Sequence, residues 1–290
     1  MRSQSDFVAR HCIPYIATIR LRYNKVGTEF VNWTLDNIRI LLEKVTIRDA
    51  DDIHKAAIAL NESSIELGFK PAISADIASK NQIIDADGSI INADIFGWVD
   101  DGQRWWEDSR LALKSFLPRA CRYECEPFWC NADGFNTRWR NKYLEGIKLK
   151  DFEQFVFAKA TIVVPVHLSF GQIGAASFMP LDADKRDLAD DFEKHGDVLG
   201  QISRRFIASY VAAMRTSQWI PSNCALSKRE VECLHWAAIG KTDREVSEIL
   251  TLSHATVRYH LQRAGEKLNA VNRSQAVFKA GQLGFLGSAS

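Results

Sequence analysis

The sequence predicts an α+β protein: an N-terminal α/β/α sandwich with an antiparallel sheet, then an all-α module of four helices. Three observations carry that expectation. Apolar residues recur at helical spacing on both sides of a central region. Inside that region they fall into short runs separated by turn signals. Beyond Pro221, three capped helical segments follow one another at short intervals. The chain's 290 residues exceed a typical single domain. The expected division is a first domain over 1–215, a linker over 216–224 and the helical module over 225–290.

The elements follow in order. In VNWTLDNIRILLEKV, residues Val31, Leu35, Ile38, Leu41 and Leu42 share one helical face. A second helix is expected in DADDIHKAAIALNESSIELGF, with Ile53, Ala57, Leu60 and Ile65 inward. From about Pro71 the runs AISADIAS and SIINADIF read as strands around the hairpin signal Asp87-Gly88. ATIVVPVHL and GQIGAASFM read as a second strand pair around Ser169-Phe170-Gly171. Helices before and after such strands suggest the layered sandwich. A long helix is expected from about Lys185 to Met214, with Leu188, Phe192, Leu199, Ile202, Phe206, Tyr210 and Val211 in one stripe. At 1.5 Å per residue it outruns one small domain, so part of the stripe is expected to serve self-association. TSQWIPSNCA carries helix breakers and no periodicity, which marks the linker.

Composition excludes several classes. Hydrophobic residues make up 46% of the chain and charged ones 25%, enough for a packed core without disulfide staples. No run of about 18 apolar residues occurs, so no membrane span is expected. The opening MRSQSDFVARHCIPYIATIR has no sustained apolar core and does not read as a secretory signal. A cytoplasmic location is the expectation by elimination. Net charge is only +1, yet from Pro221 onward nine Lys and Arg face six acids, leaving the rest of the chain slightly acidic. That asymmetry fits a basic reader of nucleic acid attached to a near-neutral partner domain. Among the six cysteines, Cys121, Cys125 and Cys130 cluster, but their spacing matches no common zinc pattern. Buried thiols are expected there, with no metal and no cofactor. Those thiols and His167 are residue types of a nucleophile–base pair, but nothing in the sequence fixes them together, and no enzyme is expected.

The C-terminal stretch is the most informative. Ser227-Lys228-Arg229-Glu230 and Thr242-Asp243-Arg244-Glu245 are capping boxes, in which hydroxyl and carboxylate satisfy free helix-end amides. Val231, Leu234 and Ala238 form the apolar face of the first helix, and Gly240 ends it. Val246, Ile249 and Leu250 turn inward from the second. Thr251-Leu252-Ser253 is a tight turn, and Ser253 caps a third helix, HATVRYHLQRAGEKL; a fourth follows from about Ser274. Helix, short helix, tight turn and helix is the helix-turn-helix plan. Val257, Leu261 and Leu268 point to its core, leaving His254, Arg258, Tyr259, Gln262 and Arg263 on the opposite face. Arg and Gln suit major-groove base edges, because each makes two parallel hydrogen bonds. Lys241, Thr242 and the helix N-terminus suit phosphates, and Thr256 is a further candidate for contact with DNA.

From Leu226 to Leu286 the sequence resembles the DNA-binding domain of the LuxR family of bacterial transcription regulators. The residues that carry the resemblance are Leu226, Glu230, Leu234, Gly240, Lys241, Ile249, Ser253, Thr256, Val257, His260, Leu261, Lys267, Leu268, Asn272, Arg273 and Ala276. The resemblance implies a four-helix reader whose third helix enters the major groove and whose fourth supports a homodimer on a two-fold operator. Arg258 matches a base-contacting position of that family. The partners it implies are double-stranded DNA and a second copy of the chain.

A weaker resemblance covers the first domain. Val164-Pro165-Val166-His167, Gly171 and Gly174-Ala175-Ala176-Ser177-Phe178 look like paired strands of the family's autoinducer-binding domain. Pro127-Phe128-Trp129 looks like its aromatic wall. The resemblance implies ligand contacts from Trp105, Trp106, Phe128, Trp129 and Ser177, the last facing an acyl-chain carbonyl. The family's Asp-Pro pair is absent: Leu117 precedes Pro118, and Lys114 is the alternative occupant. Arg110 and Thr161 also depart from the pattern. An amide donor left unpaired costs about 1–3 kcal/mol. The expected signal is therefore an acyl-homoserine lactone or a different small molecule. The alternative is a ligand-independent regulator whose first domain binds a protein partner.

Overall fold

The computed structural model describes residues 33–79, 81–98, 115–215 and 224–287. The chain divides into two compact units, Met1–Thr34 and Leu35–Ser290, and the architecture below is that of the second. Among the described residues no helix is long and apolar enough to cross a membrane.

Helix α1 spans Leu35–Lys44 and α2 spans Ile53–Glu66. Asp49 opens the approach to α2 by accepting a hydrogen bond from the Asp51 amide. Ile53, Ala56, Ala57, Leu60 and Ser64 form the buried stripe of α2. Ile65, expected inward, is 43% exposed, since a 3.6-residue period carries the stripe through Ser64 instead. Gly68, with φ of 85°, turns the chain out of the helix into strand β1, Phe69–Ser74.

The Asp87-Gly88 turn forms as expected, with Gly88 at φ of 88° and its amide donating to the Asp85 carbonyl at 3.0 Å. Of the two flanking runs, AISADIAS supplies the end of β1, Ala72–Ser74, which pairs with a later strand rather than across this turn. Around the turn itself only a bridge between Ile84 and Ile90 forms, and SIINADIF winds into α3, Ile91–Asp94. The Asp94 carboxylate accepts from the Ile90 amide, and the buried Asn92 side chain bonds both the amide and the carbonyl of Ile73. A side-chain amide thus occupies the edge of β1 where a strand neighbour would sit.

Helix α4, Phe116–Ala120, leads to a hairpin the sequence pattern does not announce: β2, Phe128–Asn131, and β3, Gly134–Asn136. Short helices α5, Lys142–Glu145, and α6, Phe152–Val156, precede β4, Ala160–His167, and β5, Ile173–Pro180. The five strands pair antiparallel throughout, in the order β1-β5-β4-β2-β3.

Helix α7, Ala189–Met214, packs on the sheet. Gly174 on β5 admits it, because a Cβ there would lie 2.7 Å from Ile207 Cγ2. Most of the expected stripe is consumed within the chain: Leu188, Leu199, Ile202 and Phe206 are fully buried and Tyr210 nearly so, while Phe192 and Val211 are half-buried. The Tyr210 hydroxyl reaches 126 residues back to the Ile84 amide at 3.0 Å. The helix packs against the sheet and against α1 and α2.

The helical module comprises α8, Lys228–Ala238; α9, Asp243–Leu250; α10, His254–Lys267; and α11, Arg273–Gln282. Leu234, Ala264, Leu268, Ala276 and Ala280 form one core cluster, and Cys233, Val246 and Val257 a second. Two expected core residues lie outside: Ala238 is exposed and Ile249 is 41% exposed. The fully buried Cys233 takes the inward position on α8.

Candidate nucleic-acid interface

Local chemistry fixes each helix of the module. Ser227 accepts from the Glu230 amide while Glu230 accepts from the Ser227 amide at 2.7 Å. Thr242 and Glu245 repeat the arrangement at the start of α9, and hydrogen bonds from the Thr242 amide and hydroxyl, with one from Lys241, draw the Glu245 carboxyl down to about 2. Thr251, with φ of 55°, makes the turn, and Ser253 Oγ accepts from the Thr256 amide at 3.0 Å to start α10. At the far end of α10 the buried Lys279 ammonium donates to the carbonyls of Leu268 and Asn269, a cation set against the helix's negative end.

Across α10, Val257, Ala264 and Leu268 are buried. His254, Arg258, Tyr259, Gln262 and Arg263 are exposed on the opposite side, as the periodicity predicts. The Tyr259 ring is 59% exposed. Two residues expected to contact DNA have their hydroxyls engaged in the helix caps. The Thr242 hydroxyl donates to Glu245 at 2.9 Å, and the Thr256 hydroxyl lies 2.7 Å from Ser253 Oγ. Lys241 sits beside them and pairs with Glu245 at 3.3 Å.

The nine cations of the tail separate by partner. Lys267 pairs with the buried Glu230 at 2.8 Å, and burial of that carboxylate is outweighed by hydrogen bonds from Lys267 and Ser227, so it stays below the ordinary carboxylate range. Arg273 ties Asp243 to the Lys241 carbonyl. Lys228 and Arg229 lean on Glu232, Arg244 on Glu248 and Arg263 on Glu266. Arg258 alone has no ion pair or hydrogen bond among the described residues. A residue the sequence reading overlooks is Glu266, which accepts from both Gln262 and Arg263. Its three- and four-residue spacing from them is the signal that would have found it.

The first domain divides its candidates between two faces. Phe128 pairs with Val163, Val163 with Ser177 and Ser177 with Ala72, so these four share one face of the sheet. Trp129 pairs with Ile162, and Ile162 with Phe178, on the face that meets α7. Phe128 and Trp129, expected together in one aromatic wall, therefore cannot line one pocket: adjacent residues of a strand point to opposite sides. Phe128 is fully buried, and Ser177 is half-buried. Thr161 also lies on the Ser177 face, with its hydroxyl donating to the Phe178 carbonyl at 3.2 Å. Trp105, Trp106, Arg110 and Lys114 lie outside the described residues.

His167 Nε2 lies 3.0 Å and 3.2 Å from the carbonyls of Cys121 and Glu124, which only accept, so Nε2 carries a proton and donates to backbone. Cys121 and Cys130 are buried, while Cys125 is exposed.

Residues 224–280 match the family described as bacterial regulatory proteins, luxR family. The transcriptional activator protein VanR of Vibrio anguillarum is 32% identical over 122 residues, 42% of this chain and 50% of its own length. The transcriptional activator protein LuxR of Aliivibrio fischeri is 51% identical over 59 residues, covering 20% of this chain and 24% of its own. Escherichia coli SdiA, a solved structure, aligns at 16% identity with a TM-score of 0.46, over 87% of this chain and 99% of that one. The chain spans about half the length of VanR, and less of LuxR. The capped helices, the tight turn at Thr251 and the sequence match agree, and residues 224–280 are a LuxR-type helix-turn-helix domain.

Proposed function

We propose that this chain is a dimeric, ligand-modulated transcription regulator of the LuxR type, reading a two-fold operator with α10. The observation that carries the reading is Arg258. It stands on the exposed face of a helix capped at both ends, with no partner among the described residues while its neighbouring cations are engaged. A guanidinium so placed is available for the O6 and N7 acceptors of guanine. Tyr259, Gln262 and Arg263 extend the same face, and Lys241 and the α10 N-terminus supply phosphate contacts. The names of VanR and LuxR as transcriptional activators support regulation of transcription.

The test begins with selection of an operator from a random pool of duplexes by the full chain, followed by anisotropy titrations at two salt concentrations. Arg258→Ala should weaken operator binding by about 1–3 kcal/mol with relaxed preference at one base pair. Its melting temperature should hardly change, because surface substitutions cost under about 0.5 kcal/mol. Lys241→Ala should weaken all duplexes alike and flatten the salt slope. An Arg258→Ala chain that binds the operator like the parent removes α10 as the reader.

The dimer follows the two-fold logic of such readers. Light scattering should give about twice the 32.8 kDa of one chain. A mass of one chain, on and off DNA, removes the two-fold arrangement. For the first domain, the face shared by Phe128, Val163 and Ser177 is where we place a small signal molecule, with Ser177 bonding its carbonyl.

A further inference from the structure

We propose that Glu266 is a specificity-determining positioning residue of α10: it orients the Gln262 amide for one base pair and withholds Arg263 from the DNA backbone. The inference rests on the DNA-binding reading above and deepens it. Gln262 Nε2 donates to Glu266 Oε1 at 3.2 Å, and Arg263 Nη1 donates to Glu266 Oε2 at 2.6 Å. Each carboxylate oxygen thus holds one of the two reading side chains. All three residues are exposed, on the face opposite Val257, Ala264 and Leu268.

Hydrogen-bond accounting gives the consequence. The Gln262 amide has two N–H donors and one carbonyl acceptor. With one N–H taken by Glu266, a fixed pair remains, one donor and one acceptor, which is the complement of the adenine N7 and N6 edge. Without the carboxylate the amide turns over freely and presents either end. Arg263 differs, because it recognises phosphate by charge. Held by Glu266, it adds little to binding of arbitrary sequence; released, it adds one phosphate contact on every duplex. The carboxylate itself repels every duplex, so its removal raises affinity where no base is being read.

The experiment uses the full chain, the operator it selects from a random pool, and a scrambled duplex. A parallel selection with Gln262→Ala identifies the base pair that Gln262 reads. Glu266→Gln retains an oxygen that accepts from Gln262 but lacks the charge. It should keep the parent's preference at that base pair within about twofold, while log K against log salt steepens by about 0.9. Glu266→Ala should steepen the slope equally and lose about tenfold of the preference. Melting curves of both variants establish that they are folded, and a structural role alone would move those curves and leave slope and preference in place. Parent-like slope and preference in both variants overturn the proposal. An unchanged preference in Glu266→Ala removes the positioning role. If the parent selects no sequence from the pool, the DNA-binding reading fails, and this inference fails with it.

Discussion

Cys121 and Cys130 are wholly buried, and burial pushes the Cys121 thiol up to about 12 and the Cys130 thiol well above its ordinary value. The thiolate is the reactive form of cysteine, so both side chains are inert near neutral pH and behave as small apolar groups in the sheet domain. Cys125, a few residues away, is exposed. In a timed reaction of the folded chain with iodoacetamide, peptide mass spectrometry should find Cys125 modified well before Cys121 and Cys130. The two buried thiols should react only once denaturant is added. Early modification of Cys121 would show that the α4 end of the domain opens readily. The same accounting of surroundings separates the tail's cations. Lys267, Arg273 and Lys279 look in the sequence like members of one basic patch, yet each is spent on the fold, against Glu230, Asp243 and the end of α10. Charge type is legible in a sequence, whereas the partner of a long side chain depends on packing from distant residues. Arg258 is legible because its position follows Val257, which the helical period sends to the core.

Packing between elements turns on a few glycines. Gly200 lies where α7 crosses the start of β2, and a Cβ there would sit 2.9 Å from Pro127 Cγ, part of a rigid ring. Gly200→Ala should therefore destabilise the sheet domain by about 1–3 kcal/mol, the usual cost of overpacking. Gly281, near the end of α11, has nothing within 4 Å of the same position. Gly281→Ala should be neutral or stabilise by up to about 1 kcal/mol, through the smaller freedom of the unfolded chain. Urea melts of the two variants beside the parent measure both, and a Gly200→Ala chain as stable as the parent would mean that Pro127 and α7 separate at little cost. Elements defined by their own sequence are legible in advance: the caps at Ser227, Thr242 and Ser253 each act within three residues. The β4–β5 pair is legible because its two apolar runs are joined by a short turn. The β2–β3 hairpin is not, because strands of four and three residues exist only through pairing with β4. Register is equally non-local, which is why the opposite faces of Phe128 and Trp129 escape a reading of residues 127–129.

The whole molecule holds two kinds of core. The sheet domain buries Phe69, Phe128, Phe178 and Phe206, whereas the module's clusters are drawn entirely from residues between Cys224 and Leu286. A described link between them is a hydrogen bond from Gln282 Nε2 on α11 to the carbonyl of Phe170, in the turn between β4 and β5, at 2.8 Å. The Arg215 guanidinium lies 4.9 Å from the centre of the Phe170 ring, beside the same turn. One neutral hydrogen bond contributes about 0.5–1.5 kcal/mol net. A domain's own stability is about 5–15 kcal/mol. Such a bond by itself is too weak to make two separate cores melt as one, and because each core is drawn from its own residues we propose domain boundaries near residues 215 and 225. Scanning calorimetry of the full chain should resolve two transitions. At about 0.7 kcal/mol per residue, the module's roughly sixty residues account for about 40 kcal/mol, and the larger sheet domain for about 100 kcal/mol or more. Gln282→Ala should leave both enthalpies intact and move neither midpoint by more than a few degrees. The bond does join α11 to the turn between β4, which carries Val163, and β5, which carries Ser177. A single transition whose calorimetric and van't Hoff enthalpies agree would show that the cores are coupled far more strongly than this contact allows.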